Sequence, residues 1–161
     1  MYVLKLRSNN LNDTEHIGAV VGAHMPAGGT IALCGPLAAG KTAISRAIFA
    51  ARGFYAHFCS PSYTIINEYT ADGKIAYHMD VYRLSDESEL DETGYGDCLQ
   101  TGELNVIEWA DRIAEHLPED TFFIDISPVA GDANARILAM KTDDEILYKA
   151  LREALDAYTC D

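Results

Sequence analysis

The sequence predicts an α/β fold, with a mostly parallel central sheet between two helical layers and one antiparallel hairpin. Three features carry that prediction. Short apolar runs alternate with helical patterns along the chain. One such run, Thr30-Ile31-Ala32-Leu33-Cys34, passes through a glycine-containing turn directly into a helix. Ala71-Asp72-Gly73 joins two β-rich segments with a hairpin signal. The 161 residues suffice for one compact domain over 1–161, and no repeat, low-complexity tract or linker divides them.

In order along the chain, Tyr2 to Arg7 alternates apolar and basic residues and reads as a strand rather than a signal peptide. A helix follows, with Ile17, Val20, Val21 and His24 or Met25 on one face; Asn12 and Glu15 resemble a capping box at its start, and Pro26-Ala27-Gly28-Gly29 ends it. After the Thr30–Cys34 strand, a second helix runs from about Lys41 to Arg52, with Gly53 as its stop. Tyr63 to Tyr69 and Lys74 to Tyr82 form the hairpin. The stretch from Asp80 to Asp97, with seven acids and one base, predicts a short helix and a surface loop. Leu104 to Glu108 reads as a buried strand and Trp109 to Leu117 as a short helical piece ended by Pro118. Phe122 to Ser127 and Arg136 to Lys141 are further strands. A last amphipathic helix starts at Thr142, with Glu145 completing a capping box and Ile146, Leu147, Ala150, Leu151, Ala154 and Leu155 on its apolar face.

The balance of 12 basic and 25 acidic residues, a formal charge of −13, repels phosphate backbones unless the bases cluster, and they do not. Direct nucleic acid contact is therefore not expected. No apolar run is long enough to span a bilayer, so the expected location is the cytoplasm, without membrane attachment. Cys34, Cys59, Cys98 and Cys160 are too dispersed for a zinc site or a disulfide framework, and Cys34 and Cys59 read as small buried residues.

Gly35-Pro36-Leu37-Ala38-Ala39-Gly40-Lys41-Thr42 fits G-x-x-x-x-G-K-[ST] at every fixed position. Such a loop wraps a polyphosphate in backbone N–H groups, and the helix that follows, from Lys41, Thr42 and Ala43 onward, adds the positive end of its dipole. Lys41 supplies a charge to the β- and γ-phosphates, and the Thr42 hydroxyl is placed for magnesium. The strand-loop-helix context makes the class a P-loop NTPase-like three-layer fold with ATP and Mg2+ as its cofactors. Magnesium also needs a carboxylate at a neighbouring strand end. Asp80 and Glu108 both end apolar runs, and pattern alone leaves open which of them touches the ion.

Four segments together resemble the TsaE (YjeE) family of bacterial ATPases, which serve threonylcarbamoyladenosine modification of tRNA. They are the phosphate loop, Ser60-Pro61-Ser62-Tyr63-Thr64, His78-Met79-Asp80-Val81-Tyr82-Arg83-Leu84 and Val106-Ile107-Glu108-Trp109. The resemblance spans about Thr14 to Trp109. It implies an accessory subunit that works with TsaB- and TsaD-like partners and whose ATP hydrolysis resets their complex. It assigns Lys41 and Thr42 to phosphate and magnesium, Thr64 or a neighbouring hydroxyl to γ-phosphate sensing, Asp80 and Glu108 to the metal and the attacking water, Trp109 to the side of the site, and Thr14 to the adenine. Two positions depart from the family pattern. Pro36 replaces an acidic residue and lacks an N–H, and Ala38 replaces a glycine at a crowded turn.

Other readings stand beside this one. A small-molecule kinase uses the same loop, but no arginine-rich lid is evident. A GTPase would carry an N-K-x-D segment, and none occurs. A module that binds nucleotide without turnover is kept open by Pro36 and Ala38. His78 reads as a hydrogen-bonded sheet histidine, Arg83 equally as the partner in a structural ion pair or as a phosphate-binding residue, and Trp109 as either a core residue or an interface anchor.

Overall fold

The computed structural model describes residues 1–55, 61 and 65–161. In chain order the elements are β1 (Tyr2–Ser8), α1 (Leu11–His24), β2 (Gly29–Cys34), α2 (Lys41–Ala51), β3 (Ile66–Ala71), β4 (Lys74–Asp80), α3 (Glu87–Glu92), α4 (Tyr95–Thr101), β5 (Leu104–Glu108), a 3-10 helix (Ala110–His116), β6 (Phe122–Val129), β7 (Asp132–Thr142), α5 (Glu145–Ala154) and a second 3-10 helix (Asp156–Tyr158). The seven strands form one sheet in the order β1-β7-β6-β2-β5-β4-β3. Its central four strands, β6, β2, β5 and β4, are mutually parallel. The expected hairpin closes β3 on β4 through Asp72 and Gly73, both at positive φ, which suits a primed turn. At the opposite edge β6, β7 and β1 are antiparallel.

Alternation along the strands divides the core between two faces. On β2, Ile31 and Leu33 pack with Ile17 and Val21 of α1, Ile44 and Ile48 of α2, and Leu147 and Leu151 of α5. Ala32 points the other way, into a cluster with Met79, Ile107, Leu90 of α3 and Tyr95 of α4. β5 is buried along its whole length, as its apolar run requires.

Several boundaries differ from the sequence expectation for identifiable reasons. The cap of α1 is Asn10, whose side chain accepts from the Asp13 amide (2.9 Å), while Asp13 accepts from the Asn9 amide (2.9 Å). The reciprocal cap thus lies two residues before Asn12 and Glu15. α5 is capped by Asp144, which accepts from the Ile146 and Leu147 amides, rather than by Thr142. Within α5 Leu147 and Leu151 are buried, with Leu155 just past its end, whereas Ile146 is 83% exposed. The acidic stretch has the expected loop, at 81–86, and the expected short helix, α3; α4 begins at its end.

α1 and α2 approach closely because α1 places Gly18 and Gly22 one turn apart on the facing side. A Cβ on Gly22 would lie 2.4 Å from the Ile48 carbonyl oxygen, a backbone atom that cannot yield. Arg52 fastens the same corner, donating to the Met25 carbonyl (2.6 Å) and to Glu103 (2.7 Å). Replacing Gly22 by valine is expected to destabilise the fold by about 1–3 kcal/mol, read as a lowered denaturation midpoint. An unchanged midpoint would show that α1 can move away at no cost.

Candidate functional site

The parallel register brings three strand ends together. Leu33 of β2 pairs with Glu108 of β5, and Glu108 pairs with Asp80 of β4. The chain leaves β2 at Cys34 and enters the phosphate loop at the C-terminal edge of the sheet, where parallel α/β folds bind ligands. A cleft of about 230 Å³ opens there, lined by 37–43 with Asp80, Glu108 and Trp109. The structure therefore brings most of the expected site residues to one place.

The loop is tightly built. Gly35 has φ +144°, and a Cβ on it would lie 2.3 Å from the Ile126 carbonyl oxygen, so no other residue fits. Ala38 takes a left-handed conformation (φ 61°), where its Cβ is strained. Gly40 (φ 110°) caps α2 without a side chain, so among the described residues the first-turn amides have no side-chain acceptor. α1, α3 and α5, by contrast, each have a side-chain cap. Pro36 donates no N–H, but its carbonyl accepts from the Ala39 amide (3.1 Å) and from Lys41 Nζ (2.8 Å).

Lys41 is 6% exposed. Its ammonium donates also to the Gly35 carbonyl (2.7 Å) and lies 3.8 Å from the centroid of the Trp109 ring. Burial pulls its pKa below the ordinary lysine value, opposed by the charges of Glu108, Asp80 and Asp111. Trp109 holds its place through a left-handed backbone (φ 60°) and a Tyr82 ring at 4.7 Å, which Arg112 overlies. At the end of β2, burial, then Asp111 and Asp125, push the Cys34 thiol up to about 11, so near neutral pH it is protonated and a poor nucleophile.

Glu108, 2% exposed, is held at both oxygens. Thr42 Oγ1 donates to Oε1 (3.1 Å), and His78 Nε2 donates to Oε2 (2.7 Å). His78 is fully buried, with its Nδ1 3.3 Å from the Tyr69 hydroxyl. Asp80 is buried beside them and accepts from the Tyr82 amide (2.9 Å). His78 is thus the hydrogen-bonded sheet histidine its sequence suggests, and it orients the carboxylate that faces Thr42.

These groups fit magnesium. Thr42, Glu108 and Asp80 offer only hard oxygen donors, and neighbouring ligands of an octahedral ion at ~2.1 Å stand ~3.0 Å apart. Thr42 Oγ1 and Glu108 Oε1 already have that separation, at 3.1 Å. Among the described residues no three His, Cys, Asp or Glu side chains form a metal cage. Magnesium suits such a site, because it is held by one or two carboxylates together with ligand phosphates and water.

Thr14 does not line the cleft. It is buried, with its hydroxyl 2.6 Å from Ser8 Oγ. Thr64 and its neighbours Ser60, Ser62 and Tyr63 lie outside the described residues. Sequence reasoning gave no site role to Arg136, whose Nε donates to the Ala39 carbonyl across 97 residues (2.8 Å). No local signal marks that contact.

The family model described as "Threonylcarbamoyl adenosine biosynthesis protein TsaE" matches residues 8–137. Two curated relatives carry the name tRNA threonylcarbamoyladenosine biosynthesis protein TsaE. The one from Treponema pallidum is 36% identical over 131 residues, covering 81% of this chain and 95% of the relative. The one from Bacillus subtilis is 38% identical over 137 residues, covering 82% of each. The crystal structure of Bacillus subtilis YdiB superposes with a TM-score of 0.74 at 30% identity, covering 97% of this chain and 95% of that one.

Removing the imidazole in His78→Ala leaves Glu108 Oε2 buried without its donor. A loss of about 1–3 kcal/mol in unfolding free energy is expected. A double-mutant cycle with Glu108→Gln is expected to show coupling between the two sites. Additive effects would mean that the 2.7 Å contact does not orient the carboxylate.

Proposed function

Because the chain belongs to the TsaE family, we propose that it binds ATP with Mg2+ and hydrolyses it, as an accessory subunit for threonylcarbamoyladenosine modification of tRNA. The observation that carries this reading is the arrangement around Thr42: a phosphate loop whose helix N-terminus, lysine and hydroxyl face two in-register carboxylates.

The residues divide the work by their chemistry. The uncapped first-turn amides of α2 and the amides of the loop bind the polyphosphate. Lys41 exchanges the carbonyls of Gly35 and Pro36 for β- and γ-phosphate oxygens, so its charge follows the transferring group. Thr42 and Glu108 would hold the ion, whose charge would offset that developing on the phosphates. Asp80 orients the attacking water. The partly desolvated Lys41 makes its interaction with phosphate stronger than an exposed lysine's. The cleft of about 230 Å³ is walled by the loop, the two carboxylates and Trp109, which suits it to the phosphates.

The wider role extends the family relation. TsaB- and TsaD-like proteins are the proposed partners, with hydrolysis resetting their complex, and the setting is the cytoplasm. At a net charge of −13 the chain is suited to act through those partners rather than by contacting tRNA itself. Among the described residues no helix is long and apolar enough to cross a membrane.

Phosphate release from ATP, with no acceptor present, tests the enzymatic reading. Lys41→Ala is expected to lower turnover by about 10²-fold or more. Thr42→Ala is expected to weaken magnesium-dependent nucleotide binding, and Asp80→Ala and Glu108→Ala to slow hydrolysis more than binding. Turnover by both carboxylate variants at the wild-type rate would remove their assignment. Phosphate arriving on a metabolite instead of in solution would favour a kinase. Co-purification with TsaB- and TsaD-like proteins, with and without ATP, tests the partners; no association in either state would contradict the accessory role.

A further inference from the structure

We propose that Arg136 is a positioning residue for the phosphate loop: it fixes the peptide between Ala39 and Gly40 so that the Gly40 amide faces the bound phosphates. The proposal rests on the nucleotide-binding reading above and deepens it.

Arg136 sits near the start of β7, paired with Ser8 of β1 and Pro128 of β6, well away in sequence from the loop. Its guanidinium is locked from two sides. Nη1 donates to the carbonyls of Ala133 and Ala135, both at 2.8 Å, which ties the group to its own strand. Nε, on the other edge of the fork, donates to the Ala39 carbonyl at 2.8 Å. A planar guanidinium held this way is a rigid strut rather than a loose surface charge.

The consequence follows from peptide geometry. Among the described residues no peptide bond is cis, and in a trans peptide the C=O and N–H point to opposite sides. With the Ala39 carbonyl turned towards β7, the N–H of Gly40 is turned away from it, towards the cleft that Gly40 lines. The anchored peptide lies in a segment with positive φ at Ala38 (61°) and at Gly40 (110°). Flipping this peptide changes ψ of Ala39 and φ of Gly40, and because Gly40 carries no Cβ the flipped alternative is accessible; in it the carbonyl replaces the amide in the cleft and repels phosphate. The Arg136 bond selects the amide-inward arrangement.

The test compares wild type, Arg136→Gln and Arg136→Lys by calorimetry with two probes, MgATP and inorganic tripolyphosphate. The Gly40 amide resonance of 15N-labelled protein is followed in parallel, and melting temperatures confirm that each variant is folded. Arg136→Gln is expected to bind both probes about tenfold more weakly and to lose the downfield shift of the Gly40 amide that tripolyphosphate induces in wild type. Arg136→Lys keeps the charge but not the fork, and is expected to show a reduced Gly40 shift with intermediate affinity. Wild-type behaviour in Arg136→Lys would reduce the role to charge alone and overturn the proposal. Loss confined to MgATP, with tripolyphosphate unaffected, would overturn it in favour of direct contact with base or ribose. Variants equal to wild type for both probes would overturn it while leaving nucleotide binding intact. A wild-type chain that takes up neither probe would contradict the nucleotide-binding reading itself and this proposal with it.

Discussion

The register of three adjacent parallel strands is the constraint on which the site depends. Leu33, Glu108 and Asp80 stand side by side across β2, β5 and β4, so the phosphate loop leaves the sheet at the level where the two carboxylates end their strands. A slip of one residue would turn Glu108 to the opposite face of the sheet and remove it from Thr42 and His78. The buried alternation of β2, with Ile31 and Leu33 to one side and Ala32 to the other, penalises such a slip. Core packing and site geometry are thus one requirement.

The loop stores the strain that this arrangement demands. Ala38 occupies a left-handed conformation that costs an alanine roughly 1–2 kcal/mol. Pro36, which cannot donate to a phosphate, serves instead as an acceptor for Lys41 and for the Ala39 amide. Pro36 and Ala38 therefore act differently: one removes a donor and keeps a carbonyl in use, the other adds backbone strain. Around them, Gly35 packs without room for a Cβ, and Arg136 reaches in from β7. The surrounding sheet holds the loop in a shape its own sequence would not favour.

Much of this was legible in the sequence, because the information was local. The strand-loop-helix signature, the hairpin turn at Asp72-Gly73 and the terminal carboxylates of two apolar runs are all short-range patterns, and each holds in the fold. Helix starts were harder to read where several Asn, Asp and Thr residues compete. Asn9 to Asp13 and Thr142 to Asp144 each offer more than one cap, and tertiary docking chooses among them. The antiparallel edge formed by β1, β7 and β6 pairs the two ends of the chain, which periodicity cannot reveal. The same holds for the bonds of His78 to Glu108 and of Arg136 to Ala39, which span 30 and 97 residues.

Diffraction from crystals grown with a non-hydrolysable ATP analogue and manganese, with data collected at the manganese absorption edge, tests the central claim most directly. The account predicts an anomalous peak at bonding distance from Thr42 Oγ1, on the side facing Glu108, with the triphosphate wrapped by the Gly35–Thr42 backbone. An analogue bound elsewhere, or held in the loop with its metal remote from Thr42, would contradict it.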